Sequence, residues 1–274
     1  MAAGKKPNPV ANVMRKEWLL TFRNLNNILF ITLVPVLITV QVLVYIFLTL
    51  RFAGAKLLMD TILGGAVERW LLQFTVPAGL TTEQQIKIFF FSQFPLYGLL
   101  IPCMVALSFA TFSIVEEKQT GTLEPLLATP VRTSELLLGK ALSGLLPAVV
   151  MSYLCTGIFL LGILVMGEGE LIPWVLNPQW WISLFVLVPL VSLLTFMLGV
   201  SGSSRAKDAH SAQNIAVVIV IPVLAIVVLQ VLGLVLFSLL RLALLSAVLI
   251  LLNVVMLKTA VRIFSRETIL TGWK

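Results

Sequence analysis

Four of the twelve carboxylates in this 274-residue chain, Glu116, Glu117, Glu124 and Glu135, fall in one polar stretch between Val115 and Lys140. The chemistry they offer there is electrostatic and helix-capping, not covalent. Gly121 breaks the preceding helix, and Thr122 can cap a new one by accepting a first-turn N–H. Glu124 and Pro125 then occupy first-turn positions, where negative charge meets the positive end of the helix dipole and a missing N–H costs nothing. The spacing predicts a short helix of about two turns, with Leu123, Leu126 and Leu127 on one face. Thr129 and Pro130 end it and open a second helix through Glu135 into Gly139 and Lys140. Two occupants could cover those leucines: lipid headgroups or the bundle itself, as for a re-entrant or surface-lying helix, or a soluble partner into which the helix docks. Glu116 and Glu117 sit at the negative end of a helix dipole, so they call for a basic partner in the chain or in another protein.

Other reactive residue types give no comparable signal. The chain has no G-x-x-x-x-G-K-[ST] phosphate loop: of its two Gly-Lys pairs, Gly4-Lys5 is followed by Lys6 and Gly139-Lys140 by Ala141. His210 lies in a polar loop without neighbours at ligand spacing, and Cys103 and Cys155 fall in apolar segments, so neither a metal nor a disulfide framework is expected. Gln41, Gln230 and Asn253 lie in apolar spans, as candidates for interhelical hydrogen bonding or for a substrate path. There is no Lys/Arg run with interleaved aromatics, which argues against nucleic acid.

These residues are carried on a frame built for lipid. The sequence is 59% hydrophobic and only 11% charged, with a mean hydropathy of +1.05. A soluble domain would carry about 25% charge, so the fold class is all-α integral membrane. Residues 1–27 are basic and show no signal-peptide pattern. From Val13 to Ile28, Val13, Trp18, Leu19, Phe22 and Leu25 recur at helical spacing, which reads as an amphipathic helix along the membrane surface with Trp18 at headgroup level. Six spans follow at about residues 28–50, 88–115, 141–166, 180–200, 212–237 and 242–257, forming one transmembrane domain over residues 1–274. The connection at 51–87 is long, amphipathic and expected to pack on the bundle, with Thr81 and Gln84 as a capping box. Pro102, Pro147, Pro189 and Pro222 predict kinked spans. No Asp, Glu, Lys, Arg or His falls inside these limits, which disfavours proton-coupled carriage. With the N-terminus inside, inner segments hold 14 of the 19 Lys and Arg and outer segments 5. That places both termini and the 116–140 loop in the cytoplasm.

The stretch resembles the signature loop of ABC-2-type permeases, the membrane subunits of a class of ATP-driven exporters. The residues that carry the likeness are Glu116, Glu117, Gly121, Thr122, Leu123, Glu124, Leu126, Leu127, Thr129, Pro130, Glu135, Gly139 and Lys140. Elsewhere it rests on helix count and hydropathy. The resemblance implies a cytoplasmic coupling helix between spans 2 and 3 that docks into a separate ABC ATP-binding subunit, which would bind ATP and Mg. It further implies a second permease subunit, identical or related, export or lipid extraction as the direction, and residence in the inner membrane. This chain would bind no cofactor and would not itself be an enzyme. The alternatives are a membrane anchor for a soluble ATPase and a passive channel, the latter disfavoured by the lack of a polar pore-lining stripe.

Overall fold

A computed structural model of the chain describes residues 8–53, 59–60, 62–74, 79–119, 121, 133–205, 220–230, 232, 234 and 238–263, and all their regular structure is helical. Helix α1 is Pro9–Thr21, started by the Asn8 side chain accepting the Val10 N–H with Pro9 at the first turn. Asn24 caps α2, Leu25–Leu48, which contains Pro35 and ends in a π turn at Thr49–Ala53. Helices α3, Ile62–Gln73, and α4, Thr82–Ser92, follow. The predicted capping box opens α4: Thr81 Oγ1 accepts the Gln84 N–H, and the Thr81 N–H donates to Gln84 Oε1 at 3.0 Å. After a break at Gln93 come α5, Phe94–Tyr97, and α6, Leu100–Gln119.

Helix α7, Thr133–Val165, has 33 residues with Pro147 inside it. At 1.5 Å per residue it is about 50 Å long, well beyond a hydrocarbon core of about 30 Å. Short helices α8, Ile172–Val175, and α9, Pro178–Ile182, lead through a π turn at Ser183–Leu187 into α10, Val188–Arg205. Helix α11 is Val220–Gln230 and α12 is Leu239–Ile263.

Five helical runs among the described residues are long and apolar enough to cross a membrane: Leu25–Phe52, Thr82–Ser113, Ser134–Val165, Pro178–Ser203 and Leu239–Ala260. The predicted span at 212–237 is represented by α11 alone, and most of its remainder lies outside the described residues. The second and third runs begin at Thr82 and Ser134, where hydropathy predicts starts near Ile88 and Ala141. Apolar content fades before helical hydrogen bonding does. Glu83, Lys87, Glu135 and Lys140, read as lying outside the spans, are therefore carried on the helices themselves. The prolines also differ from the uniform kinks expected. Pro102 is the third residue of α6, within the first turn, and Pro189 is the second residue of α10, just past the π turn, whereas Pro35 and Pro147 are interior.

The α4–α6 run is the most enclosed, with α6 packed between α7 and α10. Ile31, Phe109, Ala141, Phe196 and Met197 fill the core at the α1 end of the bundle. The described part of the 51–87 connection packs at the opposite end, where Trp70 and Phe89 meet edge to face and Phe94 stacks on Phe159 beside Trp180. Lys87 bonds Glu168 at 2.7 Å and Glu83 at 2.6 Å, pinning α4 to the turn after α7. Leu33, Leu37 and Val44 on α2 and Leu244, Leu251 and Val255 on α12 are exposed, an apolar outer surface suited to lipid.

Candidate functional site

The polar stretch is flanked by the end of α6 and the beginning of α7, and α1 packs against both. Helix α6 carries Glu117 two residues before its last, Gln119, and Gly121 beyond it has φ +64°, the left-handed geometry that favours glycine and ends the helix. Helix α7 carries Lys140 two turns in from Thr133. One turn before Lys140 on the same helix, Glu135 is half-buried in the first turn, where its charge suits the dipole.

Lys140 is 1% exposed, Glu117 3% and Glu17 3%. The Lys140 ammonium lies 2.8 Å from Glu117 Oε2, an ion pair without hydrogen-bond geometry. It donates to Glu17 Oε1 at 3.1 Å and to the Ser113 hydroxyl. Lys16 closes the group, 2.8 Å from Glu117 Oε1 and 3.8 Å from Glu17 Oε1. Two carboxylates and two ammoniums make a neutral quartet. That balance permits the burial, because a single unpaired charge in this position would be strongly destabilising. Burial pushes the Glu17 carboxyl up, but the Lys140 charge, the Ser113 hydroxyl and Lys16 outweigh it and hold it below the ordinary carboxylate value.

Gly139 explains how α1 approaches closely enough. A Cβ there would sit 2.8 Å from Val13 Cβ and 3.0 Å from the Val10 carbonyl oxygen. Gly139 admits the helix and Lys140 anchors it. Trp18 adds a second tie, its indole N–H donating to the Ser143 carbonyl at 2.9 Å. Its polar tip is thus used inside the protein rather than in a headgroup layer. The residues read as its apolar face are divided: Val13 packs on Gly139 and Trp18 on α7, Leu19 and Phe22 are exposed, and Glu17 and Thr21 are buried.

Of the residues singled out from sequence, the structure brings Glu117, Gly139 and Lys140 together. Glu116 lies on the last turn of α6. Thr122, Leu123, Glu124, Leu126, Leu127, Thr129 and Pro130 lie outside the described residues. Sequence reasoning missed Lys16, Glu17 and Ser113. A signal for one was available, since Glu17 is the sole carboxylate before Asp60 in a strongly basic segment. Gln230 donates to Gln93 Oε1, and Asn253 donates to the Leu190 carbonyl of α10 at 3.0 Å and to Leu249 at 2.8 Å. Gln41 is exposed on α2. The described residues contain no cluster suited to a metal ion.

A family model for ABC-2 family transporter proteins matches residues 11–269. The chain belongs to the ABC-2 transporter family. None of the curated proteins compared with it matches. Membership and the apolar helices make this ABC-2 protein a multi-pass membrane protein and a component of membrane transport. The match begins within α1, so the family pattern takes in the basic N-terminal helix as well as the spans.

Proposed function

We propose that this ABC-2 protein is the permease subunit of an ATP-binding-cassette exporter, driven through the 116–140 loop by separate ATP-binding subunits. The observation that supports the reading most is the neutral quartet, which fastens α1 to both helices flanking residues 120–132. A push on that segment would be delivered to α6, α7 and α1 as one unit. The long α7 would carry it about 50 Å through the bundle. Both termini and the loop lie in the cytoplasm in this reading, and two permease subunits form the path. ATP and Mg belong to the partner, and this chain performs no covalent chemistry. Glu116, Gly121, Thr122, Leu123, Glu124, Leu126, Leu127, Thr129 and Pro130 contribute the docking surface, while Glu117, Gly139 and Lys140 transmit from it.

The test is to reconstitute the assembled transporter with Glu124→Lys or Leu126→Asp. Membrane insertion stays intact, and ATP hydrolysis no longer drives transport. A variant that transports at the normal rate would show that the loop does not couple. An anchor that merely recruits an ATPase predicts no substrate-dependent stimulation of hydrolysis in the unmodified protein, so the same assay separates it.

A further inference from the structure

Opposite the quartet, where α4 breaks before α6, the bundle encloses a cavity lined by Ser92, Pro95, Asn177, Gln179, Trp180 and Gln230, with Trp70 and Phe74 as an apolar wall. The cavity and the quartet are separated by the length of α6, about 30 Å. About 30 Å³ is open to water centres, room for roughly two waters. Irregular backbone at membrane depth is tolerated where it lines such a space, which fits the break at Gln93–Leu99.

The lining is chemically uneven. Ser92 Oγ, Gln179 Oε1, Trp180 Nε1 and Gln230 Oε1 are buried without a hydrogen-bond partner among the described residues, and all four side chains line this one cavity. Trp180 is 2% exposed and Gln230 7%. Packing alone gives no reason to gather four unpaired polar atoms in one place, because each is costly until something bonds it. The two amide oxygens accept only, the indole N–H donates only and the serine hydroxyl does either. Among the described residues no charged side chain contributes. An anion would face two carbonyl oxygens, and a cation would face the indole N–H. The complementary group is neutral, both donates and accepts, and carries carbon against Trp70 and Phe74.

We propose that this cavity binds the hydroxymethyl end of a neutral sugar or glycerol group, with ordered water in its place when the ligand is absent. The site stands on its own lining; that such a group meets it during transport rests on the permease reading.

The experiment uses the full chain in phosphatidylcholine nanodiscs without any ATPase, and saturation-transfer NMR with three probes. Methyl β-D-glucopyranoside carries the hydroxymethyl group, methyl β-D-xylopyranoside lacks it, and methyl β-D-glucuronide replaces it with a carboxylate. The glucoside binds, and the other two bind about tenfold more weakly or less, since each leaves buried polar atoms unpaired. Gln179→Leu and Ser92→Ala, both at half-buried positions, each reduce glucoside affinity several-fold. A glucosyl diacylglycerol in the same bilayer that displaces the glucoside identifies a lipid headgroup as the source, and no displacement identifies a free sugar. Absence of glucoside binding, equal binding of all three probes, or binding unchanged in both variants overturns the proposal. Because no ATPase is present, failure here leaves the coupling account standing, and failure of coupling leaves this result untouched.

Discussion

At the scale of single residues, the account rests on a buried charge that is affordable only as a set. Lys140→Met leaves Glu17 and Glu117 to share Lys16, and an uncompensated buried carboxylate costs about 3–5 kcal/mol. The expected outcome is release of α1, read as rapid hydrogen exchange across Pro9–Thr21 while the spans stay protected. Combining Lys140→Met with Glu17→Gln restores much of the protection, because Glu117 then keeps Lys16 and no carboxylate is stranded. Acid makes the same point without mutation. The Glu17 carboxyl is held below its ordinary value of 4.5 in the folded protein, so its contribution is present in full above that pH and drains as pH falls through the lower folded value. The protection factor at α1, with the pH dependence of intrinsic exchange divided out, should therefore be flat from neutral pH down to the ordinary value and fall only below it. A fall already near neutrality would mean that Glu17 is not held by Lys140, Ser113 and Lys16.

At the scale of elements, the seam between α1 and α7 decides whether the N-terminal helix moves with the loop. Gly139→Val places a side chain where only 2.8 Å separates a Cβ from Val13, an overpacking cost of about 1–3 kcal/mol. Limited proteolysis should cut within α1 in this variant and not in the unmodified protein; equal resistance would place α1 elsewhere. The sequence made much of this level legible. The Thr81 and Gln84 box and the break at Gly121 are local features, set by residues a few positions apart; the N-terminal helix was legible as a helix, but it ends at Thr21 and not near Ile28, because Asn24 caps α2. Which face α1 turns inward was not legible, because Glu17 finds Lys140 across 123 positions and periodicity carries no such information. Span limits slipped for a related reason: hydropathy averages over side chains, whereas α4 and α7 continue as long as their backbones can bond. The pairing of Gln93 with Gln230, 137 positions apart, was equally hidden.

At the scale of the whole molecule, two polar clusters stand at opposite ends of the described bundle. One is charged, neutral in sum and tied to the loop flanks, and the other is uncharged and aromatic around Trp180, with apolar packing of α6, α7 and α10 between them. In the proposed permease reading such a chain transmits a movement, and its sequence contains no phosphate loop to generate one. That division of labour is the central claim, and the most direct measurement is to purify the tagged full-length chain in mild detergent from its native host and identify stoichiometric partners by mass spectrometry. The account predicts a partner carrying a phosphate loop, lost on Leu126→Asp and retained on Gln41→Leu. A chain that purifies alone, with the 116–140 loop intact and protected from protease, would contradict it.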